Sequence, residues 1–262
     1  MFADDVKIYT ISNDRIECPI LSEALEIIHR WSTVWQLSLA VAKCSVTVFG
    51  GPPVEDAAYR IGGQALEYKK EVKDLGVWVG NDLKFSKQAR ETSRKALFTG
   101  SRVFRSFKTR DRSFLIKMFK VYVKPLVSYI TPVWNPYLRR DVNAIERVQR
   151  SYTKRIPGMF SLSYAERLNV LGLNSLEYER LESDLVLLYR IMHEQVGMDF
   201  AEFFEYSPSL DLNLRGHNLK LLVPKCRSKL NAIFYSYLYR VYGISYLRRW
   251  STLQICVLFV KN

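Results

Sequence analysis

The sequence predicts an α+β fold, a small, mainly antiparallel sheet with one helix followed by helices to the end of the chain. Three observations carry this. Up to about residue 80, short β-branched runs are broken by Gly and Pro. Beyond residue 85, apolar residues recur at spacings of three and four. The excess of positive charge is concentrated in the helical part: residues 87–155 hold 18 basic and 4 acidic side chains, in a chain whose formal charge is +13.

In order along the chain, residues 6–12 (VKIYTIS) form a strand directly after Phe2-Ala3-Asp4-Asp5, which puts both Asp residues in a turn. A helix starts near Ser22, its cap, with Leu21, Leu25, Ile28, Trp31 and Trp35 on one apolar face, so both tryptophans are expected in the core. Residues 44–49 (CSVTVF) make a strand, and Gly62-Gly63 fits a two-residue hairpin turn between residues 59–61 and 64–68. A further short strand covers 77–79. Helices follow at 86–108, 113–129, 141–155, 163–171, 175–195 and 229–250, with a kink expected near Lys124, because Pro125 has no N–H to donate. The parts expected are residues 1–82, 83–160 and 161–262.

Composition excludes several classes. At 48% hydrophobic and 13% aromatic the chain can build real cores, so general disorder is not expected. The four cysteines lie far apart, without zinc spacing. No leader pattern opens the chain, and the apolar run 255–260 is far shorter than the roughly 20 residues of a membrane span. An intracellular protein without membrane contact is expected, its oligomeric state open. His29, His193 and His217 are isolated and carry no catalytic assignment. Glu177, Glu179, Glu182 and Asp184 lie on a helix of alternating charge, expected to face solvent. Trp134, between Pro132 and Pro136, is expected to be a packing anchor.

Two patterns carry chemistry. An acidic pair in a tight turn before a strand suits divalent-metal binding, although Asp-Asp in a turn is also common for backbone reasons alone. Basic stripes recur on three successive helices: Lys87, Arg90 and Arg94; then Lys117, Lys120 and Lys124; then Arg147, Arg150 and Lys154. On the last, Val142, Ile145, Val148 and Tyr152 turn inward. A surface serving solubility alone would mix both signs; these stripes suit phosphates.

Phe2-Ala3-Asp4-Asp5 resembles the Phe/Tyr-x-Asp-Asp signature of reverse transcriptases. Trp35 to Leu39, Lys43-Cys44 and Phe49-Gly50 resemble that family's next palm motif, and Lys73 to Val77 the segment that grips the primer end. Lys124 to Val127, Pro132 to Tyr137, Ile145-Glu146 with Val148-Gln149-Arg150, and Lys154 to Gly158 resemble the thumb region of LINE-type (non-LTR retrotransposon) enzymes. So do Tyr164 with Arg167-Leu168, Leu171-Gly172-Leu173, Ser175-Leu176-Glu177 and Arg215-Gly216-His217. Ala40 departs, standing where the family usually has Asn.

The resemblance implies an RNA-directed DNA polymerase using Mg²⁺. Asp4 and Asp5 are its metal-binding acids, Lys43 a proton donor to pyrophosphate, and a primer–template duplex its partner. It also implies a partial palm over residues 1–82, a basic helical thumb over 83–160 and a helical region over 161–262 with an atypical carboxyl end. Met1 directly precedes Phe2, so the fingers and the palm strand bearing the other metal-binding Asp are expected to be absent. The chain alone is therefore expected to be inactive, its first strand frayed or adaptively paired. The alternative is a non-catalytic remnant that binds nucleic acid through its basic helices.

Overall fold

The β-branched run after Asp5 forms a strand, β1 (Asp5–Ser12), and its neighbour comes from the far end of the sequence: β8 (Gln254–Lys261) pairs antiparallel with all eight of its residues. A computed structural model of the chain describes residues 5–12, 19–49, 59–204, 206 and 254–261. Asp4, the Arg215-Gly216-His217 motif and the helix expected over 229–250 lie outside them. The architecture is α+β and divides into two units, residues 1–84 with 249–262, and residues 85–248.

In the sheet unit the strand order is β1-β8-β2-β5, with β2 (Ser45–Phe49) antiparallel to β8 and β5 (Glu67–Tyr68) parallel to β2. A continuous apolar run such as Ile255-Cys256-Val257-Leu258 suits a strand with a neighbour on each side. The run read as an atypical tail is thus an inner strand. Helix α1 (Pro19–Val34) covers the sheet with Leu21 and Leu25, which join Cys44, Val46, Val48, Tyr59, Ile61 and Leu66 in one core, with Val6 and Ile8 against it.

α1 starts three residues before the expected Ser22. Proline is tolerated there because a first-turn N–H has no helical partner. The tryptophan expectation fails. Trp31 is 49% and Trp35 65% exposed, while Ser32 takes the buried position and bonds the His29 carbonyl at 2.7 Å. The inner line runs Leu21, Leu25, Ile28, Ser32, so Trp31 stands one residue, about 100°, off it. Trp35 lies past the helix end, before Gln36 at φ 55°.

Two hairpins complete the unit. β3 (Arg60–Ile61) and β4 (Gln64–Ala65) turn through Gly62 and Gly63 at φ 55° and 81°, as expected from the two glycines. β6 (Glu71–Asp74) and β7 (Val77–Gly80) turn through Leu75 and Gly76. Asp74 accepts from Lys7 of β1 at 2.8 Å.

The helical unit opens with α2 (Ser86–Ser106), whose inner face of Ala89, Thr92, Ser93, Ala96 and Gly100 packs close against α6 (Arg139–Lys154). A Cβ at Gly100 would stand 3.1 Å from the Tyr152 ring. The segment expected as one helix over 113–129 is α3 (Arg112–Met118), a π turn (Phe119–Val123) and α4 (Lys124–Ser128). The proline effect is realised as that wider turn, which moves the carbonyls that the Pro125 ring would otherwise strike.

Four helices follow: α5 (Thr131–Trp134), α7 (Tyr164–Leu171), α8 (Leu176–Met192) and α9 (Phe200–Phe203). Trp134 is fully buried and donates its indole N–H to the Tyr129 carbonyl at 2.7 Å, the anchor role expected of it. Tyr152 lies between Phe104 and Phe119, centroids 4.9 and 5.0 Å away, and its hydroxyl donates to the Leu115 carbonyl at 2.8 Å.

Candidate nucleic-acid interface and acidic turn

On α6 the inward set is as expected, with Val142, Ile145, Val148 and Tyr152 buried and Arg147, Arg150 and Lys154 exposed. Two of these cations rest on aromatic rings of the following segment. The Arg150 guanidinium lies 4.9 Å from the Tyr164 centroid, and the Lys154 ammonium 4.7 Å from that of Phe160. On α2, Arg90 and Arg94 are exposed and Lys87 half-buried, and Arg94 pairs with Glu91 at 2.8 Å. That pair holds the Glu91 carboxyl below its ordinary pKa.

Lys117 and Lys120 are exposed, but Lys124 does not continue their row. The π turn has more residues per turn than an α-helix, which displaces position 124 around the axis. Lys124 is half-buried and pairs with Glu179 of α8 at 2.8 Å. Of the four carboxylates expected to face solvent, Glu177 and Glu182 do, Glu177 pairing with Arg139 at 2.5 Å on the surface, whereas Glu179 and Asp184 are half-buried, Glu179 held by Lys124 and Asp184 accepting from Asn135 at 2.5 Å. Bonding to a neighbouring helix outweighs solvation here because the partners are already fixed by packing.

Sequence reasoning missed the acid at the centre of the unit. Glu146 is 4% exposed on a helix otherwise striped with cations. Its carboxylate accepts from the Tyr164 hydroxyl, from the Leu176 amide at 3.3 Å and from the Glu177 amide at 3.0 Å. It thereby satisfies the first-turn amides of α8, where a negative charge is favoured. Burial, then this carboxylate, push the Tyr164 phenol up.

Around it Gln149 donates to the Asn174 carbonyl at 2.7 Å, and Arg167, 6% exposed, donates to the Leu162 carbonyl at 2.7 Å and the Thr153 hydroxyl at 3.3 Å. The motif pieces at 145–150, 164–168 and 175–177 are thus one internal network. An acid inside a basic stripe was the available signal. Arg102, Arg105, Arg112 and Arg155 add exposed positive charge that no stripe announced; Arg155 lies 4.1 Å from the Phe104 ring centroid.

In the sheet unit Asp5 is the first residue of β1 and Lys43 ends a short 3₁₀ turn (Val41–Lys43) before β2. β8 lies between β1, which begins at Asp5, and β2, which follows the turn that ends at Lys43. Among the described residues no group of three or more His, Cys, Asp or Glu side chains is placed to hold a metal ion. One carboxylate on a strand does not hold a pair of divalent ions, so the described residues do not fit a two-ion Mg²⁺ site. Nor is any helix among them long and apolar enough to cross a membrane.

No family model matches the chain, and no solved structure matches it. Two curated proteins are similar to it. One is an uncharacterised protein of Caenorhabditis elegans, 27% identical over 125 residues, which are 47% of this chain and 63% of that protein. The other is the RNA-directed DNA polymerase from the mobile element jockey of Drosophila funebris, 24% identical over 161 residues, which are 60% of this chain. The chain spans 18% of the jockey polymerase. This partial similarity supports a relationship between the chain and the reverse transcriptases of LINE-type mobile elements.

Proposed function

We propose that the chain is a palm-and-thumb portion of a LINE-type reverse transcriptase that binds a primer–template duplex and does not extend it by itself. The similarity to the jockey polymerase carries this reading. The palm would lie within residues 1–82 and the thumb within 83–160, with 161–262 supporting the thumb. In a complete polymerase of this kind Asp4 and Asp5 would contribute to Mg²⁺ binding and Lys43 would face the pyrophosphate. The basic helices would hold the duplex by its phosphates, through Lys87, Arg90, Arg94, Lys117, Lys120, Arg147, Arg150 and Lys154, with Lys124 available only when released from Glu179.

A second reading, a nucleic-acid-binding protein without catalytic activity, is favoured by one observation: β8 lies between β1, which begins at Asp5, and β2, which follows Lys43. Both readings require duplex binding, and primer extension separates them from an active polymerase. Anisotropy of a labelled RNA–DNA duplex should show affinity falling by about 10³-fold between 50 and 200 mM salt, the behaviour of some six phosphate contacts. Lys120→Glu with Arg150→Glu should remove most of it. Unchanged binding by that double variant removes the thumb assignment, and templated synthesis in Mg²⁺ by the purified chain removes the claim of inactivity.

A further inference from the structure

We propose that the end of α6 and the turn after it form a subsite for unpaired nucleotides, in which Phe160 stacks a base while Arg150, Lys154 and Arg112 meet the flanking phosphates. The proposal rests on the nucleic-acid reading above and adds a strand class to it. Phe160 is 75% exposed, the most exposed large apolar side chain among the described residues. It is held there by a fixed turn. Ile156 and Met159 are each 2% exposed, and the Met159 amide donates to the Ile156 carbonyl at 3.1 Å.

Between them stand Pro157 and Gly158, the latter at φ 79°, the positive value that the third position of a type II turn requires. Beyond Phe160, the Leu162 amide returns to the Met159 carbonyl at 3.3 Å, and Ser163 with Glu166 closes a capping box on α7. The backbone on both sides of Phe160 is thus hydrogen-bonded, with the ring left on the outside of the turn.

Its surroundings are cationic. Lys154 lies 4.7 Å from the Phe160 centroid, Arg150 is one helical turn back against Tyr164, and a side chain added at Gly158 would stand 3.6 Å from the Arg112 guanidinium. Glu166, the acid of the next helix, is turned back onto the Ser163 amide at 2.7 Å. An exposed ring among cations fits a ligand that offers π faces and negative charge together. Bases inside a duplex already stack on each other, so the open face of Phe160 suits an unpaired base. An apolar protein groove would instead have to strip water from these cations.

The test uses the 262-residue chain, a labelled oligothymidylate and a blunt duplex of equal length at one salt concentration. Phe160→Ala should weaken oligothymidylate binding by about tenfold, the effect of one lost stacking contact, and leave duplex binding within about twofold. Lys154→Gln should weaken both. If Phe160→Ala binds oligothymidylate as the parent does while duplex affinity persists, this subsite is wrong and the duplex reading stands. If the parent chain binds neither nucleic acid, both fall. Should Phe160→Ala misfold, Phe160→Trp decides: oligothymidylate must quench its added fluorescence relative to the parent, and unquenched emission overturns the proposal.

Discussion

The two units are built from different kinds of contact. In the helical unit packed neighbours lie within some sixty residues of one another in sequence: α6 packs on α2 before it and on α7 and α8 after it, and the Glu146 network spans positions 146–177. In the sheet unit the strand that joins β1 to β2 comes from residues 254–261, and its outermost pair is Asp5 with Lys261. Closing such a loop costs chain entropy before any contact forms, although that cost grows only slowly with length. The helical unit can therefore assemble piece by piece, whereas the sheet unit depends on one late, long-range event.

The largest effect should come from breaking that event. Val257 pairs with Tyr9 on one side and Thr47 on the other, so it occupies a strand with two neighbours. Val257→Pro removes an N–H from an inner ladder and leaves an acceptor bare, a loss of order 3 kcal/mol confined to the sheet unit. Hydrogen exchange should show β1 and β2 amides losing protection while α2 and α6 amides keep theirs. Equal protection in both proteins would mean that β8 does not close the sheet.

The complementary break is Glu146→Ala. It leaves the Tyr164 hydroxyl and the first amides of α8 without their acceptor, in a site that is 4% exposed. Hydrogen bonds to a charged group contribute about 1.5–3 kcal/mol each, not additively, so a loss of about 3 kcal/mol is expected in urea unfolding of the helices. Glu146→Gln keeps an acceptor and should lose roughly half as much. Equal losses would show that the cavity, rather than the bonds, sets the cost.

The helical unit was largely legible in sequence for the same reason that it is local. Val142, Ile145, Val148 and Tyr152 mark the buried face of α6 by spacing alone, Ser163 marks the start of α7, and Pro125 marks the disturbed turn. Spacing says which face is buried but not what a polar residue on that face will meet, so Glu146 and Arg167 carried no role until α7 and α8 were in place. The sheet unit was legible only strand by strand. Nothing local in Ile255-Cys256-Val257-Leu258 states that its partners are Thr10 and Val48, residues from two other parts of the chain. Trp31 failed because period alone does not fix the phase of a helix when apolar residues lie on more than one side, as Ile20 and Ile27 do here.

The smallest expected effect distinguishes local packing from charge. Burial raises the Tyr152 phenol to about 12 against an ordinary value near 10, the nearby Arg155 acting in the opposite direction. A group whose folded pKa lies above its unfolded one contributes its full share of stability below the unfolded value and loses it as pH rises through the folded value. Between about pH 10 and 12 the unfolded chain ionises this phenol and the folded helical unit does not, so stability there falls with pH. Tyr152→Phe should unfold slightly more easily at pH 7, by about 1 kcal/mol for the lost bond to the Leu115 carbonyl. It should also lose less between pH 10 and 12 than the parent, so that the two stabilities converge. Parallel curves in alkaline urea titrations would mean that the ring between Phe104 and Phe119 reaches water freely, and that the crossing of α2 and α6 is looser than the 3.1 Å approach at Gly100 requires.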